Sequence, residues 1–149
     1  MKIAVAADHG GFALKTQLAE YLADRGHQVL DVGTHSADRT DYPIWGSRAA
    51  HAVVDGEADL AVICCGSGIG ISIAANKVPG ARCVVCTEPY SAQMGRRHNN
   101  ANMLALGERF VGPDMARAIV DAFLDTGFDG GRHEGRVALL ERLDAGERL

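Results

Sequence analysis

The reactive side chains of this sequence gather around one short stretch, Cys64-Cys65-Gly66-Ser67-Gly68-Ile69-Gly70. An apolar run, LAVI, precedes it and a helix-compatible segment, ISIAANK, follows. The second cysteine therefore ends a strand just before a helix begins. Backbone N–H groups at that junction stabilise an anion, and glycines let a ligand come close to them. A thiol held there as thiolate serves as a nucleophile or as a base. Nucleophilic catalysis wants a neighbouring histidine oriented by a third group, and no local signature of a cysteine hydrolase is present. Base catalysis asks only for reach and a suitable proton affinity. Alternation along a strand lets just one of two adjacent cysteines face a ligand, so Cys64 is expected in the core.

Two other readings of the loop stand beside this one. As a dinucleotide fingerprint, with Glu88 as the acidic residue about twenty positions on, it fits poorly. Its spacing is G-x-G-x-G, it follows the third strand rather than the first, and the helix after it is short. As a tight strand-to-helix turn that needs glycine for its dihedrals it fits well, but neither reading gives Cys65 a purpose. The pair in CVVC, Cys83 and Cys86, resembles a redox or zinc motif. On a strand these two point to opposite faces, so both are expected to pack as small hydrophobes. Asp8, in DHGGF, is placed to cap a helix beginning near Gly10. His98, in RRHNN, lies at a polar helix end where Arg96 and Arg97 can meet the last carbonyls. His27, His35, His51 and His133 read as surface or packing residues.

These residues need elements to carry them. Five short runs, KIAVAA (2–7), QVLDV (28–32), LAVICC (60–65), RCVVC (82–86) and NMLAL (102–106), are almost continuously apolar, as strands covered on both faces are. Helical patterns alternate with them: FALKTQLAEYLADRG, YPIWGSRAAHAVVDG, GISIAANK, EPYSAQMGRRHN and GPDMARAIVDAFLDTG. A last charged helix, about 134–148, places Val137, Leu140 and Leu143 on one face for packing on the body or on a partner subunit. The alternation predicts an α/β fold, a Rossmann-like five-stranded parallel sheet with helices on both faces. Ligands of such sheets bind at the carboxyl ends of the strands. DHGGF, GTHSADRTDYP, CGSGIG, TEPYS and GERF all fall there.

Composition sets the limits. The chain of 149 residues is 47% hydrophobic and 23% charged, which suits one domain, 1–149, with a packed core. A net charge of −4 with scattered lysine and arginine gives no footprint for nucleic acid or an anionic membrane surface. The N-terminal MKIAVAADHGG has too short an apolar stretch and too early an aspartate for a signal peptide, and no segment approaches a membrane span. Four cysteines inside apolar runs imply no disulfide framework. The expected setting is the cytoplasm.

Five motifs in order, DHGGF, TDYP (40–43), CGSGIGISIAANK (65–77), EPYSAQ…RRHNNAN (88–102) and GGRHEGRV (130–137), together resemble the type B ribose-5-phosphate isomerases. These share a sugar-phosphate isomerase family with the galactose-6-phosphate isomerase subunits, and the resemblance spans nearly the whole chain. It implies a three-layer α/β/α sandwich, a homodimer whose sites draw on both chains, often a dimer of dimers, and no metal or cofactor.

Residue by residue, the resemblance makes Cys65 the base that moves a proton between C2 and C1 of an open-chain sugar. Another branch of the family uses a glutamate at the position of Ile71, so the chain is similar to the cysteine branch. Ser67 and the N–H groups of Gly66, Gly68, Ile69 and Gly70 would stabilise the enediolate oxygen. His98 matches the histidine that opens the furanose ring, a role suited to imidazole near neutral pH, and Asn99 a substrate-binding amide. Asp8 and His9 match the pair at the ring oxygen and phosphate side, and Tyr42 another site residue. A phosphate needs cations, and Arg132, Arg136, Arg109 and His9 are the candidates. Arg132 and Arg136, four apart, share a helical face, and in the family they reach into the partner's site. Without the family, their reading is a solvated face. The substrate implied is ribose 5-phosphate, with a four- or six-carbon sugar phosphate as the alternative. A non-catalytic, flavodoxin-like nucleotide-binding module would share the fold and the glycine loop.

Overall fold

A computed structural model describes residues 1–149. Five strands, β1 (Lys2–Ala7), β2 (Gln28–Asp31), β3 (Leu60–Cys65), β4 (Cys83–Val85) and β5 (Met103–Gly107), form one sheet in the order β2-β1-β3-β5-β4. Every neighbouring pair is parallel. Six helices join and flank them: α1 (Phe12–Asp24), α2 (Tyr42–Val54), α3 (Ile69–Ala75), α4 (Pro89–Asn99), α5 (Pro113–Leu124) and α6 (Glu134–Asp144). The architecture is the three-layer α/β/α sandwich that the alternation of runs predicts. No helix is long and apolar enough to cross a membrane.

Each strand splits its side chains between two cores, because successive residues face opposite ways. Ile3, Val5, Ala7, Val62 and Cys64 join Leu14, Leu18 and Leu22 of α1 and Ile119, Val120 and Phe123 of α5. Ala4, Ala6, Ala61, Ile63 and Cys65 join Ala49, Ala50 and Ala52 of α2 and Ile71 and Ala75 of α3. Each large side chain fully removed from water, such as Phe123 or Leu18, contributes about 1.5–3 kcal/mol. The alanine-rich second core lets α2 and α3 lie close to the sheet. Cys64 and Cys65 therefore belong to different layers, and so do Cys83 and Cys86.

Three expectations are corrected by the structure. Asp8 does not cap α1: the helix begins at Phe12 behind Gly11, with no side-chain cap. The Asp8 carboxylate instead accepts the N–H of Gly10 at 2.9 Å, closing a turn before the helix. The last helix ends at Asp144, not near 148, and of its apolar face only Val137 is buried, with Leu140 and Leu143 40% and 48% exposed. Arg96 and Arg97 do more than finish α4. Arg96 donates to the carbonyls of Ala101 and Thr126, and Arg97 pairs with Asp129 at 3.1 Å, fastening the segment after α5 onto the end of α4.

Candidate active site

β1 and β3 are neighbours, yet β1 leads to β2 on one side while β3 leads to β4 and β5 on the other. The two connections part at the carboxyl ends and leave a crevice, as open parallel sheets do where strand order reverses. A cleft of about 540 Å³ opens there. The loop after β1 lines it with Asp8, His9 and Gly10, and the turn after β3 with Cys65, Gly66, Ser67 and Gly70. Tyr42 enters from the start of α2, and Arg109 and Phe110 from the loop after β5.

The turn after β3 is built around its sulfur. Cys65 is 4% exposed, and its Sγ accepts the N–H of Gly68 at 3.0 Å. That donor points back because Gly68 has φ +77°, a left-handed conformation that costs a side-chain-bearing residue about 1–2 kcal/mol. Ser67 Oγ accepts the N–H of Ile69 at 3.2 Å, fixing the hydroxyl at the mouth of the turn. Backbone pairs from Glu108 N–H to Cys65 O and from Arg109 N–H to Gly66 O, 3.0 and 3.1 Å, stitch the loop after β5 to this turn. The approach is so close at Gly107 that a Cβ would stand 2.6 Å from the Ser67 carbonyl. Arg109 lies with its guanidinium over Gly66, and the Tyr42 ring packs on Gly70. Glu108 meanwhile accepts the N–H of Leu14 at 3.0 Å, anchoring the start of α1 to the same edge.

The second loop is tied in from below. Lys15, 2% exposed, binds both Asp31 carboxylate oxygens, at 2.9 and 2.7 Å, and the Thr34 carbonyl at 2.6 Å. At the top of that loop the Nδ1 of His9 meets the Thr40 backbone.

The remaining sequence-predicted residues lie elsewhere on the chain. Gly68 and Ile69 shape the turn without lining the cleft, and Ile69 is 53% exposed. His98 and Asn99 end α4, Arg132 sits in a short 3-10 turn (Gly131–His133), and Arg136 is on α6. None of these four lines the cleft. His98 stacks on His133, ring centroids 4.3 Å apart and planes within 10°, and Arg132 Nε lies 3.4 Å from His133 Nε2. Burial, with repulsion from His98, Arg132 and Arg136, holds the His133 imidazolium below its ordinary value. Asn99 borders a second cavity of about 340 Å³ between α6 and the edge strand β4.

The sequence reading missed Phe110 and the partner of His133. Phe110 follows the fifth strand in GERF, and that position was its signal; it lines the cleft and is 63% exposed. His133 reads as a surface or packing residue, and it is indeed packed, but nothing in GGRHEGRV signals that its partner is His98.

Comparison with known proteins bears directly on this arrangement. A family model described as Ribose/Galactose Isomerase matches residues 3–140. Ribose-5-phosphate isomerase B of Escherichia coli K12 is 51% identical over 143 residues, covering 96% of both chains. D-erythrulose-4-phosphate isomerase of Pectobacterium atrosepticum is 42% identical over 141 residues, covering 92% of this chain and 91% of its own. The solved structure of Clostridium thermocellum ribose-5-phosphate isomerase B superposes with a TM-score of 0.97 at 51% identity, covering 98% and 99% of the two chains. On these matches, which run through both the cleft and the His98 cluster, the chain belongs to the ribose/galactose isomerase family and is an isomerase.

Proposed function

We propose that the chain interconverts D-ribose 5-phosphate and D-ribulose 5-phosphate through a cis-enediolate, with Cys65 as the base. The observation that carries this reading is the Cys65 sulfur, held by the Gly68 N–H in a cleft that also presents Ser67, Asp8, His9 and Arg109. In the forward direction the thiolate takes the proton from C2 of the open-chain aldose. The electron pair moves into a C1–C2 double bond, and negative charge develops on the former carbonyl oxygen. Ser67 and the N–H groups of Gly66 and Gly70 are the donors offered to that charge, those of Gly68 and Ile69 being spent on Cys65 Sγ and Ser67 Oγ, and preorganised contacts of this kind supply several kcal/mol in such reactions. A proton passes between the two enediolate oxygens, and the thiol returns its own proton to C1. The base is regenerated and no electrons leave the substrate, so no redox partner is needed.

Ring opening falls to His98 in this reading, with Asn99 binding the sugar and Arg132, Arg136, Arg109 and His9 meeting the phosphate. His98, Asn99, Arg132 and Arg136 stand outside the chain's own cleft, which supports a homodimer in which they complete the partner's site. The same grouping is compatible with a dimer of dimers. Four free cysteines support a reducing, cytoplasmic setting.

A shorter substrate is the second reading, favoured by the 42% identity to an erythrulose-4-phosphate isomerase. A steady-state panel of four-, five- and six-carbon aldose phosphates tests both, comparing kcat/KM. The five-carbon sugar phosphate is expected to lead. A clear preference for erythrose 4-phosphate or allose 6-phosphate overturns the substrate assignment.

A further inference from the structure

His98 and His133 come from segments far apart in the chain, yet their rings lie face to face, centroids 4.3 Å apart and planes 10° from parallel. His98 is near the end of α4, while His133 closes the short 3-10 turn before α6. No hydrogen bond within the chain reaches the His98 ring, so the stacked face is the contact that orients it. Backbone and side-chain ties seat His133 in turn. Arg97 pairs with Asp129 at 3.1 Å, and the Arg97 carbonyl accepts the Asp129 N–H at 3.0 Å, which fastens the segment before the turn to the end of α4. The His133 N–H donates to the Gly130 carbonyl at 3.1 Å, and only 7% of the residue is exposed. At the edge of the same ring, Arg132 Nε–H donates to His133 Nε2 across 3.4 Å. A guanidinium can only donate, so Nε2 is the accepting, unprotonated nitrogen. The bond is long and its effect is directional: with Nε committed, the two terminal NH2 groups of Arg132 stay free for an anion. We propose that His133 is a positioning residue for the isomerisation, its ring face holding His98 and its ring edge holding Arg132, so that both are presented together.

Both contacts ask for a neutral ring. A proton on Nε2 would face the Arg132 N–H and set a charge against the His98 ring. The surroundings oppose that proton: burial, with repulsion from His98, Arg132 and Arg136, holds the His133 imidazolium below its ordinary value, and only Asp129 acts the other way. The face and the edge of the ring do different work, and substitution separates them. His133→Phe keeps a flat ring against His98 but gives Arg132 nothing to donate to. His133→Leu removes the flat face as well. A side chain that merely filled space would be replaced equally well by either.

This inference rests on the roles proposed for His98 and Arg132, and the experiment tells its failure from theirs. The first readout is the pair of carbon-bound ring protons of His98, in 1H–13C spectra recorded without substrate above the titration of the rings and assigned with His98→Asn. A stacked neighbour shifts them upfield by its ring current. The shift is expected in the wild type, kept in His133→Phe and lost in His133→Leu. Signals that do not move in His133→Leu overturn the proposal. Kinetics with ribose 5-phosphate supply the second arm. Loss of the Arg132 contact in His133→Phe should raise KM about fivefold while kcat changes less than about twofold. His133→Leu should show the same rise in KM and a kcat about tenfold lower, because the ring-opening imidazole is no longer held in place. Equal kcat in the two variants, or wild-type kinetics in His133→Leu beside an impaired His98→Asn, overturns the positioning role alone. Full activity in His98→Asn overturns the ring-opening reading and this inference with it. Should His133→Leu fold poorly, His133→Met, unbranched and without a flat face, takes its place in both arms.

Discussion

Cys65 and Gly68 are joined by a 3.0 Å hydrogen bond from backbone N–H to sulfur, while Cys64, one residue back, faces the opposite core. Chain neighbours are thereby given separate fates by the pleat of one strand. Burial pushes the Cys64 and Cys83 thiols far above their ordinary range and the Cys86 thiol up to about 11. Cys65 alone of the four opens onto the cleft. Iodoacetamide on the native protein should therefore alkylate Cys65 first, with a sugar phosphate protecting it, as read by peptide mass spectrometry. Comparable labelling of the other three would contradict this.

Gly68→Ala should destabilise the fold and cripple the turn together. The left-handed φ of +77° penalises alanine, and its Cβ would stand 3.0 Å from the Leu106 carbonyl carbon. A loss of about 1–3 kcal/mol in urea unfolding is expected. Gly127, where an added Cβ meets nothing within 4 Å, is the control and should be near neutral. Equal effects at the two positions would remove the conformational argument.

The shared-site reading has its own test. A Cys65→Ala chain and an Arg132→Ala/Arg136→Ala chain, each inactive, are mixed and allowed to exchange subunits. In a mixed dimer one site carries both defects and the other neither, so about half the sites per heterodimer should regain activity if the arginines act across the interface. Heterodimers confirmed by native mass spectrometry yet without turnover would place cysteine and arginines in the same chain's site.

His133 makes stability depend on pH. Because its folded-state proton affinity lies below the ordinary histidine value, the unfolded chain binds the proton more readily. Its contribution is thus fully present above the ordinary histidine value near 6.5 and is lost as pH falls below it. Unfolding free energies measured from pH 8 to pH 5 should fall more steeply for wild type than for His133→Phe, which keeps a ring against His98. Parallel curves would show that the stacked pair carries no such penalty.

Much of this was legible in the residues themselves. The five apolar runs are the five strands, with β1 and β3 matching KIAVAA and LAVICC to the residue, because both-face burial writes a continuous apolar signal. The short edge strands β2 and β4 are one or two residues shorter than their runs, since fewer partners hold them. Asp8, His9, Tyr42, Cys65, Gly66, Ser67, Gly70 and Arg109 do converge on one cleft. Strand-end position predicted the neighbourhood; only the resemblance supplied roles. What the sequence could not show is long-range side-chain geometry. Nothing local reveals that His133 is buried on His98, that Asp8 closes a turn instead of capping a helix, or that Trp45 reaches Thr40. Leu140 and Leu143 gave the last helix an apolar face, and the single chain leaves that face half open.

The claim on which the mechanism turns is that Cys65 moves the substrate proton. The most direct measurement is kcat for ribose 5-phosphate in Cys65→Ala, paired with calorimetric binding of the same sugar phosphate. Removal of a general base should lower kcat about 100- to 10,000-fold, with Kd within about threefold of wild type, because the phosphate and ring contacts lie on other residues. A Cys65→Ala enzyme that turns over within about threefold of wild type would contradict the account and remove the thiol from the chemistry.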